Sequence, residues 1–168
     1  MEDRLKILKV MNAVTGKVGL KEFTEIVDLT LGQMLGYLQG LVKTGFVRKV
    51  DGRYSITVEG KIALKSLSPV PEGMEFHFYD GIGQYTGFSA KSLKEFCELL
   101  KKVNVGVLEF HIFRGDFENW ITSVFGDTEF ANEIMRIRES GQSGENLRNE
   151  IRGVTEARYK KFEKLLSP

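Results

Sequence analysis

Two groups of polar residues in this sequence have types and spacings suited to chemistry. The first combines hydrogen-bonding side chains with cations. Thr30, Gln33, Tyr37 and Lys43 lie in the run TLGQMLGYLQGLVKTG, and Arg48, Lys49 and Arg53 follow around an Asp51-Gly52 pair. A glutamine amide can pair with N6 and N7 of adenine, and a tyrosine can reach a phosphate or a thymine methyl. Clustered Arg and Lys hold phosphates. Gly32 and Gly36 flank these side chains and would let another surface approach the backbone. The second group is His77 and His111, with Asp80, Asp116 and Asp127. Two histidines with nearby carboxylates are raw material for a metal site or for acid–base catalysis. Against that, neither H-x-x-x-H nor H-E-x-x-H occurs. Asp116 and Asp127 stand where helix N-caps are expected, and both histidines alternate with apolar neighbours, as they would on strands packed under helices. The sequence therefore predicts no catalytic residue, no metal and no cofactor. His77, Tyr79, Tyr85, His111 and Trp120 together suit a small-molecule effector pocket, and they suit an ordinary aromatic core equally well. The one cysteine, Cys97, shares a helical stripe with Leu93, Phe96 and Leu100 and reads as a buried small hydrophobe. It leaves no partner for an intramolecular disulfide and no Cys-based zinc finger.

The elements that must position the first group follow from periodicity. Residues 3–12 form a helix with Leu5, Leu8, Val10 and Met11 turned inward, and residues 15–19 break it. Leu20, Phe23, Ile26 and Val27 give a second, shorter helix. Asp28-Leu29-Thr30 is a turn of helix-turn-helix length. Thr30 then caps a third helix, with Leu31, Met34, Leu35, Leu38, Leu41 and Val42 at helical spacing and Gly45 as its stop. With Leu31, Leu35, Leu38 and Leu41 inward, the outward positions are Gly32, Gln33, Gly36, Tyr37, Gln39, Gly40 and Lys43. Three outward glycines weaken the helix by about 1 kcal/mol each relative to Ala, and no arginine is present to read guanine. That face suits a DNA groove, and it also suits close packing against another protein. Residues 46–50 and 53–56 are strand-like and meet at Asp51-Gly52, a strong hairpin signal because a type I′ turn needs two residues tolerant of positive φ. The charges at its tip suit phosphate or minor-groove contact; a solvated turn guarding an edge strand would look the same. Thr57 caps a helix over 58–67.

This order and the run GFVRKVDGRYSITVEGKIAL resemble the winged helix-turn-helix transcriptional regulators. The positions that carry the likeness are Gly45, Phe46, Val47, Lys49, Tyr54, Ile56, Thr57 and Gly60. The resemblance spans residues 3–67 and implies sequence-specific binding of double-stranded DNA, usually by a homodimer. Placed on this sequence, it makes Thr30, Gly32, Gln33, Gly36, Tyr37 and Lys43 the groove-facing set and Arg48, Lys49 and Arg53 the backbone clamp.

Two of the three prolines fall in SLSPVPEG, and residues 69–73 read as a linker. Beyond it, 74–79 and 84–88 read as strands, separated by a glycine-rich turn that does not match the dinucleotide fingerprint. Ser92-x-x-Glu95 is a capping box opening a helix to about 103. Residues 107–113 read as a further strand with Leu108, Phe110 and Ile112 on one face. Asp116 caps a helix over 117–125 and Asp127 another over 128–139. Residues 140–144 are a loop, and 145–166 are helical with a break or kink at Gly153. The pattern Phe76, Phe78, Thr86-Gly87, Ala90, Ser92-Leu93, Glu95-Phe96, His111, Asp116-Phe117, Trp120-Ile121, Gly126-Asp127 and Phe130-Ala131 resembles an uncharacterised prokaryotic domain common in archaea, which brings no known activity.

Charge is divided along the chain. Residues 1–68 carry eleven Lys/Arg against seven Asp/Glu, and the rest carry thirteen against sixteen, a basic front and an acidic back. With no apolar leader and no long apolar run, the expectation is a soluble cytoplasmic protein without a membrane partner. The expected architecture is α+β: a winged helix-turn-helix over 1–68, the linker 69–73, and over 74–168 a small antiparallel sheet covered by helices. The second domain would serve dimerisation, effector sensing or partner contact. The alternative is a winged-helix protein-interaction module of a larger assembly, without direct DNA contact.

Overall fold

The computed structural model describes residues 1–14 and 19–167. The chain is α+β. Among the described residues it has nine helices and two separate two-stranded antiparallel sheets, in two compact units. One unit comprises residues 1–64 and the chain from 162 onward; the other is residues 65–161.

In the first unit, α1 (Glu2–Ala13) buries Ile7, Leu8 and Met11. The break expected over 15–19 lies, apart from Gly19, outside the described residues. Helix α2 (Leu20–Val27) buries Phe23 and Val27 and ends on Asp28 in the left-handed region, φ 56°. Aspartate tolerates that conformation better than most residues, so the turn into the next helix is sharp. Helix α3 (Leu31–Lys43) opens on a complete capping box. Thr30 Oγ1 accepts from the Gln33 amide at 3.3 Å, and the Thr30 amide donates to Gln33 Oε1 at 3.1 Å. Its buried face is Met34, Leu38 and Leu41. Leu31, expected inward, is 54% exposed. It shares the face at helical spacing but sits in the first turn, where that face has run past the core.

Strands β1 (Val47–Val50) and β2 (Arg53–Ile56) pair antiparallel, with Val50 opposite Arg53. Asp51 at φ 51° and Gly52 at φ 73° make the turn, the two consecutive positive angles a type I′ turn requires. Thr57 joins the hairpin to α4 (Val58–Ser66). Its hydroxyl donates to the Gly45 carbonyl at 2.6 Å and accepts from the Gly60 amide at 3.0 Å, while its own amide donates to the Phe46 carbonyl at 2.9 Å. Gly60 lies so close to that carbonyl that a Cβ there would be 2.2 Å from the Phe46 oxygen.

The second unit contains β3 (Phe76–Tyr79) and β4 (Tyr85–Ala90), paired with His77 opposite Ser89 and Tyr79 opposite Tyr85, with an irregularity between His77 and Tyr79. Helices α5 (Leu93–Lys102) and α6 (Val105–Arg114) pack on this sheet, and α7 (Asp116–Phe125), α8 (Thr128–Glu139) and most of α9 (Gly144–Leu166) complete the unit. The core is aromatic. Phe76 meets the rings of Phe78, Phe96, Phe117 and Trp120 at centroid distances of 4.8 to 5.5 Å. Such edge and tilted pairs add to area burial.

Residues 107–113 are not a strand. They lie within α6, and among the described residues the sheet has two strands. Asn104 caps this helix through Oδ1, which accepts from the Gly106 amide at 3.2 Å, and Gly115 at φ 72° closes it. The buried residues Val107, Leu108, His111 and Ile112 follow the helical period, so Phe110 and Ile112 do not share a face. Helix α9 runs unbroken through Gly153.

Candidate functional site

In the first unit the expected groove-facing residues occupy one short helix and one hairpin. Thr30, Gly32, Gln33, Gly36 and Lys43 are exposed, as are Arg48, Lys49 and Arg53. A Cβ added at Gly32 or at Gly36 would meet nothing within 4 Å among the described residues, so no contact with them requires glycine there. Gly40 differs, because the Arg4 guanidinium lies 3.5 Å from its would-be Cβ.

Several of these side chains are engaged internally. Gln33 Oε1 accepts from both the amide and the hydroxyl of Thr30. Both lone pairs of that oxygen are occupied, so two-point pairing with adenine would have to open the cap, whereas the amide's N–H donors stay available. Tyr37, half-buried, donates its hydroxyl to Asp3 Oδ2 at 2.8 Å, beneath the Arg4 guanidinium at 5.9 Å from the ring centre. The hydrogen bond to Asp3 holds the Tyr37 phenol above its ordinary value of 10.0. On the hairpin, Arg48 Nε donates to Ser55 Oγ at 3.0 Å. Lys49 Nζ lies 5.4 Å from the Tyr54 ring centre.

In the second unit the structure brings together three of the five expected effector residues. His77, Tyr79 and His111 line a cleft of about 710 Å³, with Phe110, Arg114 and the turn Gly81–Gly83. Tyr85 stands beside it, its ring 5.6 Å from Tyr79 and 5.8 Å from His77. Its hydroxyl shares a 2.6 Å hydrogen bond with Ser89 Oγ, which also meets His77 Nδ1 at 2.5 Å. Trp120 belongs to the core instead. It packs on Phe96 at 4.9 Å and Phe125 at 5.1 Å, and its indole N–H donates to the Met74 carbonyl at 2.8 Å.

The histidines are not on neighbouring strands, because His111 lies on α6. Its ring is held at both nitrogens. Nε2 accepts from the Tyr79 amide at 2.8 Å, which leaves the proton on Nδ1 to be donated to Asp116 Oδ2 at 2.8 Å. Burial lowers its pKa below the ordinary 6.5, against the opposing pull of Asp116. The Asp116–His111 pair resembles the orienting half of a catalytic triad, but the Nε2 lone pair that a base must offer is already taken. Asp116 is therefore not the cap of α7, which starts from Gly115 without a side-chain cap. It is the first residue of that helix, and its Oδ2 also accepts from Arg114 Nε at 3.1 Å. Asp127 does cap α8, Oδ1 accepting from the Phe130 amide at 3.0 Å. Burial pushes the Cys97 thiol up to about 12, so it has little thiolate character.

Two features lay beyond sequence reasoning. Arg158 grips Asp127 with two hydrogen bonds, of 2.7 and 2.8 Å, both residues buried. Arg148 Nη1 donates to the carbonyls of Leu100 and Val103 at 2.6 and 2.9 Å, satisfying the C-terminal end of α5. Among the described residues, no three His, Cys, Asp or Glu side chains are placed to share a metal ion, and no helix is long and apolar enough to cross a membrane.

No curated protein and no solved structure matches the chain. A family described as a family of unknown function, DUF5752, matches residues 57–156, from the Thr57 cap through the sheet, the aromatic cleft and α5–α8 into α9. That is more than half of the sequence, and the chain therefore belongs to DUF5752.

Proposed function

We propose that the first unit is a winged-helix module that binds double-stranded DNA and that the protein regulates transcription. The reading rests on one observation above the others: an exposed α3 face where a Cβ added at Gly32 or Gly36 would meet nothing within 4 Å among the described residues, in the same unit as a hairpin with Arg48, Lys49 and Arg53 exposed around its turn. Two uncompensated glycines in a helix cost about 1 kcal/mol each relative to Ala. Close approach of an external backbone accounts for them, and hairpin cations suit one made of phosphates. The element order helix, helix, turn, helix, hairpin, helix supports the same reading.

A second reading has its own support. Ile26 and Leu31 are 55% and 54% exposed, and Gln33 Oε1 and the Tyr37 hydroxyl are both engaged internally. An apolar face with few free polar groups suits a protein partner. Selection of duplexes from a random pool, followed by anisotropy titrations across salt, separates the two. Under the DNA reading a duplex is retained, and Lys49→Ala with Arg53→Ala reduces the slope of log K against log salt by about 2, roughly one per cation removed. Failure to retain any duplex at low salt, or a slope indifferent to both substitutions, refutes it in favour of the protein partner.

A further inference from the structure

We propose that the cleft between the β3–β4 hairpin and α6 is a binding site for a small aromatic carboxylate, with Arg114 as the anchor for its negative charge. The inference concerns the second unit alone and does not rest on DNA binding by the first.

The anchor is built in three steps. The Tyr79 amide fixes His111, and His111 fixes Asp116 through the Nδ1–H to Oδ2 bond. The same Oδ2 accepts from Arg114 Nε at 3.1 Å, and the guanidinium lies over the Phe110 ring, 5.1 Å from its centre. One edge and one face of the guanidinium are thus held. The terminal Nη groups have no protein partner among the described residues. A guanidinium immobilised in this way is preorganised for two-point pairing with a carboxylate, the geometry its planar fork favours.

The polar character of the cleft points to an acceptor-rich ligand. Asp116 Oδ2 already takes two donors, and Asp116 lies in the first turn of α7, where the helix dipole favours its charge. Besides the Arg114 Nη groups, the backbone amides of Gly81, Ile82 and Gly83 on the lining turn donate to no protein acceptor among the described residues. The walls call for a flat apolar body. Phe76, Tyr79 and Phe110 supply rings, and Ile82, 86% exposed on its turn, has apolar surface that an occupant would cover. A volume of about 710 Å³ lies within the roughly 300–1,000 Å³ of small-ligand sites.

Calorimetric titration of the full chain with three probes that share one indole ring tests this: indole-3-acetate, the neutral indole-3-acetamide and the cationic tryptamine. Indole-3-acetate is expected to bind at least about tenfold more tightly than the amide, the share of a charge-assisted hydrogen bond, and tryptamine most weakly. Arg114→Gln should bring the acetate down to the level of the amide while leaving the amide unchanged. Phe113→Ala, outside the cleft, should alter neither. Chemical-shift changes on adding the acetate should centre on the amides of Tyr79, Ile82 and Gly83. Equal binding of all three probes, a preference for the acetate that survives Arg114→Gln, or no heat from any probe at millimolar concentration overturns the assignment. The comparison of probes on the unaltered protein decides the matter even if the Arg114 variant folds poorly.

Discussion

Replacing Gly60 with alanine tests how the hairpin and α4 are joined. The added Cβ would stand 2.2 Å from the Phe46 carbonyl oxygen and 2.9 Å from Ile56 Cγ1. Ordinary carbon–oxygen contact begins near about 3.3 Å, so the backbone would have to yield by about 1 Å. It cannot do so freely, because the same oxygen accepts the Thr57 amide and the Gly60 amide is held by the Thr57 hydroxyl. Overpacking of this kind costs about 1–3 kcal/mol, and a weakened hydrogen bond adds about 1 kcal/mol. The better helix propensity of alanine returns about 1 kcal/mol. The net loss is about 1–3 kcal/mol, and each kcal/mol lowers the melting temperature by roughly 4–8 °C in a unit of this size. Gly36→Ala provides the control, because nothing lies within 4 Å of its Cβ; it should gain up to about 1 kcal/mol. Thermal and urea unfolding followed by far-ultraviolet dichroism would measure both, with Trp120 fluorescence reporting the second unit separately. A Gly60→Ala protein as stable as the parent, or two substitutions that shift stability in the same direction, would refute the reasoning.

Two further outcomes follow from the second unit. Arg158→Ala should destabilise it by about 3–5 kcal/mol, because Asp127 would remain buried without its cation; a loss below about 1 kcal/mol in urea unfolding would contradict the importance given to this pair. For His111, burial lowers the folded pKa below 6.5, so its contribution to stability is complete above about 6.5 and is lost as pH falls from there through the lower folded value. Protonation would also set an N–H against the Tyr79 amide. His111→Gln should flatten the slope of unfolding free energy against pH just below 6.5, and an unchanged slope would show that the histidine is not the group responsible.

Much of the fold could be read locally. The Thr30-x-x-Gln33 and Ser92-x-x-Glu95 patterns, Asp51-Gly52, and the periodicity of Leu93, Phe96 and Leu100 each act within a few residues, and the helices and turns follow them. The strand expected over 107–113 is a helix instead: Val, Phe and Ile favour strands, and a short apolar run fits either period. The Asn104 cap and Gly115 stop were the signals that distinguish the helix. The site was less legible, because its geometry depends on partners remote in sequence. Nothing near His111 announces that its Nε2 takes the amide of Tyr79, and Tyr37 gives no sign of Asp3. Arg158 reads as one more cation on a solvated helix face until Asp127 is placed beside it. By type and position Trp120 suits a pocket or a core equally, and the packing of Phe96 and Phe125 around it places it in the core.

The reach of α9 back to α5 and to Asp127 has a consequence for the order of events during synthesis. A nascent chain that has emerged only through α8 holds an aspartate without its guanidinium and an α5 end whose carbonyls still face water. Neither defect can heal until residues 148–158 leave the ribosome. The second unit should therefore gain its final rigidity late, and any factor that shelters incomplete chains would meet it with these two places still open.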